Sequence, residues 1–258
     1  MKLVFEDIGS GKPVVLIHAF PLSARMWKLQ AKLLAQNGYR VILPDLPGFG
    51  ENSDFLKRYS IEEMALQISA LLHSLNIEKA IVGGLSIGGY ILFNLYRLAP
   101  EKLSALIFCD TTYISDTVEK RNSRFELISK IEKQGSSALI ENMLPNLISD
   151  HTKQYNSQLT AELEDVFSKV KPHSAINALR SIAERRDNTD IVGKISISTL
   201  LIFGESDKVT TLEDAQKMNQ LIPESELTII NNAGHYSNLE QPLKFNEALL
   251  DFCNRIEI

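Results

Sequence analysis

Gly84-Leu85-Ser86-Ile87-Gly88 follows the apolar run Ala80-Ile81-Val82 and precedes a segment of helical spacing, so a serine stands at a strand-to-helix turn. A serine hydroxyl is a weak nucleophile until a base takes its proton. A sharp turn at the carboxyl end of a strand lifts it clear of the sheet toward such a base. Gly84 and Gly88, with Gly89 beside them, leave room for strand and helix to approach closely, and Ser86 is expected to take a strained backbone conformation. Ser86 is therefore the candidate nucleophile.

Outward from this turn, short apolar runs recur, each followed by a turn and a helix-period segment: Val14 to Ile17, Val41 to Leu43, Ala80 to Val82, Ala105 to Phe108, Leu200 to Phe203 and Leu227 to Ile230. Strands alternating with helices imply an α/β fold with a mainly parallel sheet. The clearest covering helix carries Ile61, Met64, Ala65, Ile68, Leu71, Leu72 and Leu75 on one face, with Ser60 and Glu63 spaced as a capping box. His73 on this helix reads as a surface or boundary residue.

The rhythm breaks between residues 111 and 195, where helical spacing dominates and no strand-like run is found. Phe125, Ile128 and Ile131 form one stripe; Leu139, Met143, Leu144 and Leu147 a second; Ile176, Leu179, Ile182 and Ala183 a third. The expected organisation is a core of residues 1–110 and 196–258 interrupted by a helical insertion, 111–195, that sits as a lid over the ligand crevice. Glu184-Arg185-Arg186-Asp187 reads as a solvated helix end, and His151 and His173 as surface residues of the insertion.

The 258 residues, 44% hydrophobic, suffice for a sizeable core, and 27 basic against 32 acidic residues leave a net charge of −5 with no long run of either sign. Neither nucleic acid nor an anionic membrane surface is an expected partner. Met1-Lys2 leads directly into the strand-like Leu3-Val4-Phe5-Glu6-Asp7 rather than a secretory apolar region. Ala80 to Phe93 is shorter than the roughly 20 residues a bilayer span needs. A cytoplasmic location is the resulting expectation. Cys109 and Cys253 read as separate buried thiols, and no ligand cluster supports a metal site.

An activated serine needs a base within hydrogen-bond reach and a third group to orient that base. His235, in Asn232-Ala233-Gly234-His235, follows the last strand-like run and so lies at the same sheet edge as Ser86. For the orienting carboxylate, Asp207 follows Leu200 to Phe203 in Gly204-Glu205-Ser206-Asp207; Asp110, after Ala105 to Phe108, is the rival, and Glu205 falls in the turn itself. The order Ser86, Asp207, His235 is the serine, acid, histidine order associated with this turn.

With these residues, and with Ile17-His18-Ala19-Phe20-Pro21-Leu22-Ser23 and Pro44-Asp45-Leu46-Pro47-Gly48-Phe49-Gly50, the chain resembles the α/β-hydrolase superfamily over almost its whole length. Its nearest look-alikes are small capped serine esterases and enzymes of the 3-oxoadipate enol-lactonase and carboxylesterase type. The resemblance implies an oxyanion hole built from the backbone N–H groups of Phe20 and Ile87, no cofactor, and a small-molecule ester or lactone as substrate. It makes His18 a brace for its loop and Asp45 a structural residue. Two departures are Ala19, where most relatives carry glycine, and Thr211, where many carry proline.

Serine at the turn sets aside the dehalogenases and epoxide hydrolases of this architecture, which use aspartate there. Ester hydrolysis is the expected activity; lactone opening, thioester or carbon–carbon hydrolysis, perhydrolysis and lyase chemistry use the same three groups. From a different class, a ligand receptor could keep the fold, but an intact serine, acid and histidine set stands against it.

Overall fold

The computed structural model describes residues 3–257; Met1 and Lys2, read above as leading into the first strand, and Ile258 lie outside the described residues. Seven strands form one sheet: β1 (Phe5–Gly9), β2 (Lys12–Ile17), β3 (Tyr39–Pro44), β4 (Ala80–Leu85), β5 (Leu103–Cys109), β6 (Thr199–Gly204) and β7 (Ser225–Ile230). Their order is β1-β3-β2-β4-β5-β6-β7. β1 runs antiparallel to β3, and every other neighbouring pair is parallel.

Each expected strand is found, extended by one to three residues at its ends. β4 and β6 are buried at every position, as a parallel strand covered on both faces requires. The covering helices are α1 (Lys28–Gln36), α2 (Ile61–Ser74) and α3 (Ile87–Leu98). α3 lies on β4 and β5, and α2 packs on α3. The expected capping box starts α2: Glu63 N–H donates to Ser60 Oγ at 3.1 Å, and Ser60 N–H to Glu63 Oε2 at 2.8 Å.

Between β5 and β6 the chain is helical: α4 (Val118–Gln134), α5 (Ser137–Asn142), α6 (Leu144–Leu147), α7 (Asp150–Tyr155), α8 (Ser157–Ser168), α9 (Pro172–Ala183) and α10 (Thr189–Val192). After β6 come α11 (Leu212–Leu221), α12 (Ser237–Glu240) and α13 (Pro242–Arg255). The stripe from Leu139 to Leu147 is cut at Met143: Pro145 has no N–H to give the carbonyl four residues back, so α5 stops and Pro145 stands at the start of α6.

Two sequence expectations for this region change. Phe125 is exposed, and the inner face of α4 is Leu127, Ile128 and Ile131. Arg185 is no solvated helix end: its side chain is 3% exposed and points inward to Asp116. A residue 69 positions away supplies its partner, which local charge patterning does not register. Cys109 and Cys253 are separate buried thiols, and no described helix is long and apolar enough to cross a membrane.

Candidate active site

Because β2, β4, β5, β6 and β7 are parallel, the loops after them open on one edge of the sheet, and the sequence candidates Phe20, Ser86, Asp110, Asp207 and His235 are brought there together. Ser86 has φ 55° and ψ −112°, the strained conformation expected of a residue turned out of the sheet. A Cβ on Gly84 would run into the backbone of Gly88, so the pair of glycines is what allows β4 and α3 to meet this closely. The turn is pinned by Ser86 N–H donating to the Cys109 carbonyl at 3.0 Å and by Thr111 Oγ1 donating to the Ser86 carbonyl at 2.8 Å.

His235 is 2% exposed, with Nε2 2.9 Å from Ser86 Oγ and Nδ1 2.7 Å from Asp207 Oδ2. A ring protonated on Nδ1 donates to Asp207 and leaves Nε2 to accept the serine proton, the arrangement a general base requires. Asp207 also accepts from Val209 N–H at 2.8 Å and Thr210 N–H at 3.2 Å, and from Thr210 Oγ1 at 2.5 Å. Burial alone would raise its pKa, but the adjacent imidazole and these donors outweigh it and hold the carboxyl below its ordinary range.

Asp110 does not touch His235. It accepts from Gly204 N–H at 2.7 Å and from Ser237 N–H and Oγ at 3.3 and 2.5 Å, tying β5 to β6 and to the start of α12. Its burial, and then the charge of Asp207, push its pKa well above the usual carboxylate value. Glu205 accepts only from Asn232 N–H, at 3.2 Å, on the exposed side of the turn.

The Phe20 loop is held from two sides. Leu46 N–H donates to His18 Nε2 at 2.8 Å, which leaves Nδ1 as the nitrogen carrying the proton toward the Ala19 carbonyl at 2.9 Å. Burial lowers the pKa of His18, against the pull of that carbonyl and of Asp45, so the neutral ring suits both bonds. Asp45 accepts from Ala24 and Glu51 N–H groups, each at 2.8 Å, and joins the two loops. Tyr236 OH donates to the Phe20 carbonyl at 3.0 Å. Neither Phe20 N–H nor Ile87 N–H meets a protein acceptor among the described residues.

One residue that sequence reasoning missed is Glu240. Buried in α12, it accepts from Gly234 N–H at 2.8 Å, Ser149 N–H at 2.8 Å and Thr152 Oγ1 at 2.6 Å. With His235 N–H donating to the Leu147 carbonyl at 2.9 Å, it fastens the histidine loop to the inserted helices. No local signal marks it, since two of its three donors, on Ser149 and Thr152, lie about 90 residues upstream.

Ser86 and His235 line a cavity of about 180 Å³ whose other walls include Phe20, Tyr90, Arg124 and Ile182. Tyr90, Arg124 and Asn142 also line a neighbouring outer cavity of about 640 Å³. His151 and His73 are exposed and His173 is half-buried, all outside both cavities. Among the described residues no group of three or more histidine, cysteine or acidic side chains is placed to hold a metal.

Sheet order, the strained serine turn and the matching of residues 12–242 to the alpha/beta hydrolase fold family establish that this chain belongs to that family. Among solved structures, a thermophilic esterase from Thermogutta terrifontis, described as malate bound, superimposes with a TM-score of 0.93 and 33% identity, covering 98% of this chain and 93% of that one. A bromoperoxidase from Bacillus anthracis aligns with a TM-score of 0.88 and 26% identity over 98% of this chain and 95% of its own. The 3-oxoadipate enol-lactonase 1 of Acinetobacter baylyi is 29% identical over 95% of this chain and 89% of its own length.

Proposed function

We propose that the protein hydrolyses carboxylic esters of small molecules through an acyl-enzyme on Ser86. Neutral His235 takes the hydroxyl proton as Oγ attacks the carbonyl, then returns it to the departing alcohol. Asp207 holds the tautomer and offsets the charge of the imidazolium. The free N–H groups of Phe20 and Ile87 receive the oxygen that becomes negative. Water, activated by the same ring, releases the acid. The observation that carries this reading is the histidine ring standing between carboxylate and hydroxyl at 2.7 and 2.9 Å.

In the same reading, residues 111–195 act as a cap on a core of 1–110 and 196–258. What supports it is that Arg124, Asn142, Leu147 and Ile182 of the insertion wall the cavity beside Ser86. Lactone opening is the second reading, favoured by likeness to the enol-lactonase; a lactone differs only in keeping its alcohol tethered to the acyl group.

A fluorophosphonate should label Ser86, located by peptide mass spectrometry. Ser86→Ala should lose at least about a thousandfold in kcat on p-nitrophenyl esters. Full retained turnover would overturn the assignment. A panel of ester chain lengths beside several lactones distinguishes the two substrates.

A further inference from the structure

The inserted helices carry a buried charge cluster that the three catalytic candidates do not explain. Asp116, its side chain 1% exposed, is shared by two guanidiniums. Arg124 faces it through Nε and through Nη2 at 3.2 Å, and Arg185 through Nη1 at 2.8 Å. Arg185 also donates to the Ile182 and Ile114 carbonyls, each at 2.9 Å, and lies 4.3 Å over the ring of Tyr90. Among the described residues neither arginine pairs with any other carboxylate. One carboxylate therefore faces two cations, leaving a positive charge in a place where an unpaired ion is costly.

The two arginines are not equivalent. Arg185 is spent on carbonyls, ring and Asp116. Arg124, whose Nη1 has no acceptor among the described residues, lines a wall common to both cavities, one of which contains Ser86 and His235. The inner cavity, about 180 Å³, has Ser86 and Arg124 on its walls and holds only a small acyl or alkyl group. The outer cavity is also lined by Lys120 and Lys130 against Glu119 and Glu126, and by Lys208, which pairs with Asp150 at 3.4 Å, so the discrimination falls to Arg124.

We propose that Arg124 binds a carboxylate of the substrate, so that the ester or lactone this site prefers carries a free negative charge a few bonds from the scissile carbonyl. Arg124 is then the specificity-determining residue, and Asp116 with Arg185 and Tyr90 holds its fork in place. A guanidinium suits this task because its planar donors match a carboxylate. The inference rests on the hydrolase reading of Ser86 for its turnover, though not for its binding.

Two matched pairs test it by pH-stat: monomethyl glutarate against methyl pentanoate, with the charge on the acyl side, and acetoxyacetate against isobutyl acetate, with the charge on the alcohol side. The charged member of at least one pair should win by about 10- to 100-fold in kcat/KM, chiefly through KM. Arg124→Gln should reduce that charged-to-neutral ratio by a similar factor, and Arg124→Lys should recover part of it. Preference for the neutral member in both pairs, or a ratio that Arg124→Gln leaves unchanged, overturns the proposal. If Arg124→Gln does not fold, the unmodified enzyme decides. Glutarate but not glutaramide should then competitively inhibit hydrolysis of a neutral p-nitrophenyl ester, and equal or absent inhibition by both would sink the idea.

Calorimetric titration of Ser86→Ala with glutarate separates the two readings. Hydrolysis without charge discrimination and without glutarate binding leaves the serine assignment standing and removes the anion site. Glutarate binding in a protein that cleaves no ester does the reverse.

Discussion

Asp207 and Asp110 sit in loops after adjacent strands, both buried and both ringed by donors, yet one is held below the ordinary carboxylate range and the other well above it. The difference is a cation. Asp207 faces an imidazole that can carry positive charge, whereas the partners of Asp110 are two N–H groups and a hydroxyl. Neutral donors alone do not offset burial when a second carboxylate is nearby; a group able to hold a proton does. Across the cavity Asp116 makes the point from the other side: burial pushes it up, and two guanidiniums more than reverse this.

The comparison breaks most visibly in turnover. Asp207→Asn, which removes the charge and permits the wrong tautomer, should lower kcat by roughly 10⁴-fold. Asp110→Asn should cost less than about tenfold, because an amide can still accept from Gly204 and donate to Ser237. Steady-state rates on one ester check both, and the opposite ranking would make Asp110 the orienting acid.

Next in size is Asp116→Asn. Removing the shared carboxylate leaves two buried guanidiniums facing each other, a loss of about 3 kcal/mol or roughly 6–12 °C in melting temperature by calorimetry. A change within 2 °C or so would mean the cluster is solvated in solution.

The pH dependence sharpens the contrast between the two sheet-edge acids. With a native pKa above its unfolded value, Asp110 supports folding fully only below about 3.9, and that support is lost as pH rises through the native value. Asparagine removes the titration, so the melting temperature of Asp110→Asn relative to the parent should climb by a few degrees between about pH 5 and about pH 8. Asp207 has the opposite sign: its stabilisation is present above the carboxylate range and lost as pH falls through its depressed native value. A flat difference for Asp110→Asn would show that the carboxyl titrates alike in native and unfolded chains. The smallest effect is expected for Ser237→Ala, which deletes one neutral donor to Asp110 and should cost about 1 kcal/mol of stability in a denaturant titration.

Sequence patterning reaches as far as local interactions do. The apolar runs give the strands, Ser60 and Glu63 start α2, and glycines around Ser86 announce the strained turn, because each depends on backbone sterics or on residues within a few positions. His235 was legible too, since a strand followed by a loop puts it at a known edge. The long strand-free stretch was visible too: β5 ends at Cys109, β6 starts at Thr199, and the chain between them is helical.

What only the folded chain decided is which distant groups meet. Asp207 and Asp110 follow equivalent strands and read alike; three-dimensional packing turns one toward His235 and the other toward Ser237. Arg185 lies in a run that reads as solvated, and Glu240 in a short polar helix, until Asp116 and Ser149 arrive from elsewhere to bury them. Whether a charged side chain points inward depends on finding a counter-charge or donors there, and a partner tens of residues away leaves no mark on the local pattern.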